Sequence, residues 1–133
     1  MKALTSRVTR GLPVGSQIPT CDNSGAKVIE ILSVKGYKGV HRRKPSAKVG
    51  DLVTVTVKKG KPDMVKQVFF GVVVRQKKEY RRPNGMRVKF EDNSIVVLKD
   101  DKGNPKGTIF KGPIAKEATE KWPGIAKVAS IIL

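Results

Sequence analysis

The chain has 133 residues, and its 28 Lys and Arg against 11 Asp and Glu give a formal charge of +17 at pH 7. This length supports one domain with a single modest core, and the charge predicts a polyanionic partner, because such an excess otherwise opposes compaction. A membrane is the less favoured partner, since the sequence has no run of about 18 apolar residues and no long basic amphipathic helix. A single cysteine excludes an internal disulfide, and the N-terminus lacks the apolar core of a signal peptide, so a cytoplasmic location is expected.

Residues 1–16 are basic and are broken by glycine and proline, which predicts an N-terminal arm that becomes ordered late or on binding. Gln17 to Cys21 is predicted to form a short strand at a sheet edge, because Pro19 has no amide hydrogen for a ladder. After a turn, residues 26–34 predict a strand with apolar side chains on both faces. Glu30 interrupts one face, and we expect it to lie at a barrel mouth or to pair with a neighbouring cation.

Residues 35–48 form the first strongly basic element, with six Lys or Arg, one His and no acidic residue. Two glycines and a proline argue against a helix, so the segment is predicted to be a loop. A soluble loop usually mixes both signs of charge. We therefore interpret this loop as a binding element rather than as a merely solvated one.

Two strands follow the basic loop. Residues 52–58 show the clearest strand pattern, in which three valines face the core and alternate with polar residues. A hairpin then leads into a second strand within residues 65–74, in which Val68 and every second residue after it are predicted to face inward. Gly71 in the middle of this strand predicts a bulge or a tight bend.

The stretch from Gly71 to Val97 carries the most informative pattern. It begins apolar and turns basic before Asn84-Gly85, a pair that is the strongest short hairpin signal between extended runs. The return arm, residues 86–90, alternates apolar and basic side chains. Residues 94–98 are apolar on both faces and so belong inside a sheet. The pattern predicts a β-ribbon that is rooted in a β core and carries positive charge towards its tip.

The C-terminal part changes to a helical period. Pro113 is predicted to start a helix that runs to about Lys121, and Pro123 is predicted to start another. The second helix carries an apolar stripe with helical spacing at Ile125, Val128, Ala129 and Ile132. We expect this stripe to pack on the β core, with Trp122 as an anchor.

The short strands and close turns together predict a mainly β fold, a closed or half-closed β-barrel. We predict a single domain over residues 1–133. It consists of the basic arm over 1–16, the barrel and its projecting ribbon over 17–110, and a segment with one or two short helices over 111–133.

The sequence offers no convincing catalytic or metal site. Ser24 and Lys27 have the Ser-x-x-Lys spacing of penicillin-recognising enzymes, but the companion motifs are missing and turn chemistry explains the segment. Cys21 has only His41 as a candidate base, and one Cys with one His cannot form an ordinary zinc site. No phosphate-binding loop of the Walker type is present. We therefore predict that the chain is not an enzyme and has no cofactor.

A gapped pattern within the ribbon region resembles the signature of one universal ribosomal family, that of the fourteenth protein of the large subunit. Its fixed residues are, in order, Gly71-Val72-Val73-Val74, Asn84-Gly85, Phe90, Asn93 and Val96-Val97. The similarity continues at residues 21–27, 49–51 and 112–113, so it covers nearly the whole chain. Residues 11–15 and 57–62 are similar to the archaeal and eukaryotic branch. An archaeal source is favoured, because a eukaryotic member is expected to carry a longer N-terminal extension.

The resemblance implies a small five-stranded β-barrel with a projecting ribbon and a structural role in the large ribosomal subunit. It implies large-subunit ribosomal RNA as the main partner and intersubunit bridges to small-subunit ribosomal RNA. The neighbours that it implies are the third protein of the large subunit and a small protein of archaeal and eukaryotic ribosomes.

Phosphate recognition is the chemistry that the basic elements predict, because Arg grips a phosphate with two hydrogen bonds and Lys acts as a mobile point charge. The residues predicted to bind RNA are Lys35, Lys38, Arg42, Arg43, Lys44, Lys48, Lys58, Lys59, Lys77, Lys78, Arg81, Arg82 and Arg87.

Two rival functions remain to be weighed. A free barrel protein that binds single-stranded nucleic acid would need a row of aromatic stacking platforms, yet aromatic residues make up only 5% of the chain. Tyr37 and Tyr80 lie in the basic elements, where they either stack on bases or simply pack the loop base. A small basic nuclease would need paired carboxylates or a His with an acid, and the candidate acids lie in predicted turns. The shortage of aromatics favours a folded RNA, recognised by its shape and backbone.

Overall fold

The computed structural model of the protein describes residues 7–39 and 42–133. Predictions for residues 1–6, and for Val40 and His41, lie outside the described residues. The strands are β1 (Leu12–Pro13), β2 (Gln17–Pro19), β3 (Ala26–Val34), β4 (Ser46–Ala47), β5 (Leu52–Gly60), β6 (Val68–Arg75), β7 (Tyr80–Arg81), β8 (Arg87–Val88), β9 (Ser94–Leu98), β10 (Pro113–Ile114) and β11 (Ile131–Ile132). The helices are α1 (Lys116–Lys121) and α2 (Pro123–Val128).

The centre of the fold is a five-stranded sheet in the order β2-β3-β5-β6-β9, in which every neighbouring pair is antiparallel. Its two edge strands approach each other beyond the end of β2, where Thr20 forms a parallel bridge with Ile95. There the amide of Cys21 donates a hydrogen bond to the carbonyl of Ile95, at 3.4 Å. The predicted mainly β fold is confirmed, and the sheet curls far enough for its edges to touch at this bridge.

The core follows the alternation that the sequence predicts for β5. Val53, Val55 and Val57 are fully buried, whereas Thr54 and Thr56 between them are partly exposed. All five residues of β9 are buried, as its apolar pattern predicts, although β9 is an edge strand in the order of the sheet. The expected partner of Glu30 is also present, because Lys58 on the neighbouring strand places its Nζ 3.0 Å from the carboxylate.

Two predictions for β6 are wrong. Val68 is 59% exposed, because it lies at the first position of the strand, before the fully covered part begins at Gly71. Gly71 itself pairs in regular register with Val53 and Val97, and the irregular register lies further on, between Val73 and Arg75. Glycine is required at position 71 for another reason: a Cβ there would lie 2.8 Å from Cγ2 of Ile95.

Gly71→Ala should therefore lower the free energy of unfolding by about 1–3 kcal/mol, the usual cost of overpacking a core. The added methyl would also lie 3.1 Å from the backbone oxygen of Val96, which cannot move without disturbing the ladder. Urea unfolding measures the effect, and Val68→Ala at the exposed start of the same strand is the control. Equal midpoints for the two variants would show that the close approach at Gly71 costs nothing.

The N-terminal segment does not extend away as an arm within the described residues. Val8 and Leu12 are buried in the core, and β1 pairs with β4 through Leu12 and Ala47. From Val8 onward the segment packs on the sheet through its apolar residues, and its ordering late or on binding stays a prediction.

The helical segment differs in its limits from the prediction. Pro113 lies in β10, which pairs in parallel with β11, so α1 begins only at Lys116. The stripe of α2 ends with the helix at Val128, and Ile132 lies in β11 with about half of its surface exposed. Trp122 between the helices is the predicted anchor, since it is 2% exposed and its Nε1–H donates to the carbonyl of Gly50 at 2.8 Å. Within the described residues, no helix has the length and apolar character needed to span a membrane.

Candidate nucleic-acid interface

The basic loop, residues 35–48, connects β3 to β5 and contains β4 near its end. Within its described residues it has no helix, as predicted. Arg42, Arg43 and Lys44 are exposed at its centre, and none of them lies within 4.0 Å of an acidic group of the described residues. Arg42 has a left-handed backbone conformation, with φ of 59°. The loop thus presents three consecutive cations whose charge has no acidic partner inside the described structure.

The basic ribbon, residues 77–89, lies in the chain between β6 and β9 and contains the β7–β8 hairpin. Its turn is closed by a hydrogen bond from the amide of Gly85 to the carbonyl of Arg82, at 2.9 Å. Gly85 has the positive φ of 87° that this turn requires, while Asn84 accepts a hydrogen bond at its side-chain oxygen from the amide of Met86. The predicted hairpin is confirmed, with only the glycine in the left-handed region.

A buried cluster fixes the ribbon to helix α1. Glu117, which is 4% exposed, accepts hydrogen bonds from the hydroxyl of Tyr80 at 2.8 Å and from Nε of Arg82 at 2.9 Å. Burial and the hydrogen bond to Glu117 raise the pKa of Tyr80, so the hydroxyl stays protonated and donates. The Nη2 group of Arg82 also donates to the carbonyl of Leu133. The ribbon therefore has a fixed direction relative to the C-terminal segment.

Glu117→Gln should lower the free energy of unfolding by about 1–3 kcal/mol, because it removes the charge that accepts these hydrogen bonds. Glu120→Gln on the same helix is the matched control, since Glu120 is exposed and lies 3.8 Å from Lys116. Thermal unfolding followed by circular dichroism measures both variants. If they melt together, the cluster does not stabilise the attachment of the ribbon.

The N-terminal segment joins the loop to the ribbon. The amide of Val14 donates to the carbonyl of Pro45 in the loop at 2.9 Å. The side-chain amide of Gln76, at the base of the ribbon, donates to the carbonyl of Thr9 at 2.8 Å. Gly11 packs so closely against Lys78 that a Cβ would not fit between them. Residues 9–14 thus hold the two basic elements side by side.

Comparisons with known proteins identify the family. The family profile described as "Ribosomal protein L14p/L23e" matches residues 11–133. The chain belongs to this family. It is 56% identical over 133 residues to "Large ribosomal subunit protein uL14" of Nanoarchaeum equitans, with all of both chains covered. Proteins with the same name from Methanocorpusculum labreanum and Methanococcus vannielii are each 52% identical, over 100% and 99% of both chains. The family resemblance and the non-enzymatic character predicted from the sequence are confirmed.

The cations predicted to bind RNA in this family member fall into two groups. Four have acidic partners: Lys35 with Asp101 at 3.2 Å, Lys58 with Glu30 at 3.0 Å, Arg82 with Glu117 at 2.9 Å and Arg87 with Glu79 at 3.8 Å. The other nine have no acidic group within 4.0 Å among the described residues: Lys38, Arg42, Arg43, Lys44, Lys48, Lys59, Lys77, Lys78 and Arg81. No carboxylate of the described residues neutralises the charges of this second group, so these cations are available to bind phosphates.

The structure does not bring all these residues together. The loop and the ribbon are neighbours, but Lys58 and Lys59 lie at the far end of β5, which begins beside the loop at Leu52. A nine-residue strand places its two ends about 25 Å apart. The chain therefore presents two separate basic surfaces, one at the loop and ribbon and one at the end of β5.

Sequence reasoning missed two arginines. Arg75 is buried, and its guanidinium donates to the carbonyl of Lys111 at 2.9 Å and to the hydroxyl of Ser94 at 2.7 Å, so it holds the C-terminal segment to the sheet. Arg10 lies against the loop, where it donates to Asp51 and to the carbonyl of Ser46. No local signal separates them from the other cations, because their partners are distant in the sequence.

The groups considered for catalysis have structural surroundings. Burial raises the pKa of the Cys21 thiol to about 11, so at neutral pH it is protonated and enclosed. The hydroxyl of Ser24 donates to Asp22 within the predicted turn, at 2.9 Å. In the part of the chain that the structure describes, no three His, Cys, Asp or Glu residues are grouped to hold a metal ion.

Proposed function

We propose that the chain is a structural constituent of the large ribosomal subunit in the cytoplasm and that it binds large-subunit ribosomal RNA through the basic loop and the ribbon. The observation that carries this proposal is the set of cations on two adjoining elements that have no acidic partner among the described residues. Cations that cluster on one side of a protein form an electrostatic footprint for a phosphate backbone. Family membership supports the same conclusion, because the relatives are named as large-subunit proteins.

The mode of binding is recognition of folded RNA by its backbone. Tyr80 is buried and bonded to Glu117, so it offers no free ring for a base. The outward face of β5 carries Thr54 and Thr56 rather than aromatic platforms. The half-buried rings of Phe69 and Phe70 on β6 are each covered by a lysine. These features disfavour the alternative of a free single-strand binder, which stacks successive bases on aromatic rings.

We also propose that the protein contacts small-subunit ribosomal RNA across an intersubunit bridge. The separation of its two basic surfaces supports this, because one surface is able to bind one RNA while the other faces a second RNA. Lys59 at the end of β5 is exposed, and no acidic group of the described residues lies within 4.0 Å of it. The protein neighbours proposed are the third large-subunit protein and a small archaeal or eukaryotic one.

Sedimentation of a lysate from cells that contain the tagged protein tests the proposal. The protein should travel with large subunits and with whole ribosomes, and it should leave them only at high salt, because phosphate contacts weaken as salt rises. In parallel, the purified protein should bind large-subunit RNA with an affinity that falls steeply across a salt series. Sedimentation as a free protein, together with salt-independent RNA binding, would contradict the proposal.

A further inference from the structure

An open groove of about 820 Å³ lies between the start of the basic loop, the start of β5 and the junction of the two helices. Its volume is within the range of about 300–1,000 Å³ that is typical of sites for small ligands. Two buried apolar side chains, Leu52 and Trp122, contribute to its lining, together with Tyr37 and Arg10. The groove is therefore large enough for one nucleotide and has both apolar and polar walls.

Arg10 is held in a fixed position on this wall. Its guanidinium lies 5.3 Å from the centre of the Tyr37 ring, and its Nη1 donates to Asp51 at 3.1 Å and to the carbonyl of Ser46 at 3.0 Å. The side chain nevertheless remains 41% exposed. An arginine that is fixed by a ring and a carboxylate presents a planar cation at little entropic cost, and such planes stack on nucleobases.

The charges around the groove favour an anion. Five of its lining residues are cations and two are carboxylates. Asp51 is occupied by Arg10 and by the amide of Lys48, and Asp101 is paired with Lys35. Lys48 and Lys102 have no acidic group within 4.0 Å among the described residues. These two lysines are placed to contact a phosphate.

We propose that this groove binds one unstacked nucleotide of an RNA, with its base on the guanidinium of Arg10 and its phosphate at Lys48 and Lys102. The inference rests on the proposed RNA-binding function and deepens it. A free mononucleotide offers the same base and phosphate and is the alternative ligand for the groove. An RNA nucleotide is favoured because Lys35, Tyr37 and Lys48 of the groove wall belong to the basic loop itself.

The test compares two RNA hairpins that differ only in one bulged adenosine, and it measures the affinity of each. The wild-type protein should prefer the bulged RNA by about tenfold, the effect expected from stacking one base on a side chain. Arg10→Lys keeps the charge but removes the planar guanidinium. The preference for the bulged RNA should therefore disappear, while the salt dependence of binding stays unchanged. Arg7→Lys, at an exposed position outside the groove, is the matched control and should keep the preference.

Two further measurements make the outcome independent of folding defects in a variant. In the wild-type protein, 2-aminopurine at the bulge should change its fluorescence on binding, and 2-aminopurine at a paired position should not. The chain has one tryptophan, and it lines the groove, so its emission should change with the bulged RNA but not with millimolar AMP.

The possible failures can be told apart. If the wild-type protein binds both hairpins equally but with a normal salt dependence, the groove does not bind a nucleotide while the proposed RNA-binding function stands. If AMP competes and the bulge has no effect, the groove is a site for free nucleotides and the inference is wrong. If neither hairpin is bound in a salt-dependent way, the proposed function itself fails.

Discussion

Val55→Asp should destabilise the protein severely. Val55 lies at the centre of β5 between Ile31 on β3 and Phe69 on β6, and its side chain is completely buried. A carboxylate there would have no partner, and we expect it to lower the free energy of unfolding by about 4 kcal/mol or more. Domains of this size are stable by only about 5–15 kcal/mol, so one such change removes a large part of the stability.

Thr54→Lys, one residue earlier, is the control for this prediction. Thr54 is partly exposed on the opposite face of β5, where a lysine side chain is able to extend into water. Its effect should stay within about 1 kcal/mol. Urea unfolding followed by circular dichroism measures both variants. Equal losses of stability would show that the inward face of β5 has been wrongly assigned.

The parts of the fold that the sequence predicts are those with a local pattern. The period-two alternation of β5 is visible in its own residues, and burial follows it closely. The pairing of β10 with β11 has no such signal, because Pro113 carries a helix-start pattern while its partner Ile131 lies at the other end of the helical segment. Gly71 is similar, since its close neighbour Ile95 belongs to another strand. Register and close approach depend on tertiary contacts.

The same distinction applies to the candidate interface. The acid-free composition of residues 35–48 predicts a basic loop, and its central cations have no acidic partner among the residues that the structure describes. The internal role of Arg82 was not predictable, because it depends on Glu117 in a helix that follows much later in the chain. Arg10 was missed because its partner Asp51 looked like an ordinary turn residue. The sequence shows the sign of each charge, but the partner of each charged side chain depends on the fold.

Replacing Arg42, Arg43 and Lys44 together with Ala should weaken RNA binding and change its salt dependence. Binding releases fewer counterions from the RNA when a phosphate contact is missing, so the slope of log affinity against log salt should flatten by roughly 0.7–0.9 for each contact that is lost. Loss of all three contacts would flatten it by roughly 2–3. Stability should change little, because exposed charges contribute little to it. The left-handed backbone of residue 42 adds no further cost, because Arg and Ala both carry a Cβ and are strained there to the same extent. Filter binding of a ribosomal RNA fragment across a salt series provides the measurement.

Two controls separate local contacts from the loss of net charge. Lys99, Lys111 and Lys127 are exposed and lie outside the loop and the ribbon, so their replacement with Ala removes the same charge elsewhere. That variant should keep most of the slope, because only cations close to phosphates displace counterions. Arg42→Lys with Arg43→Lys keeps the charge of the loop and should also retain the slope. If the loop variant and the distant variant flatten the slope equally, the loop acts only through net charge, and the assignment of Arg42, Arg43 and Lys44 as RNA contacts is wrong.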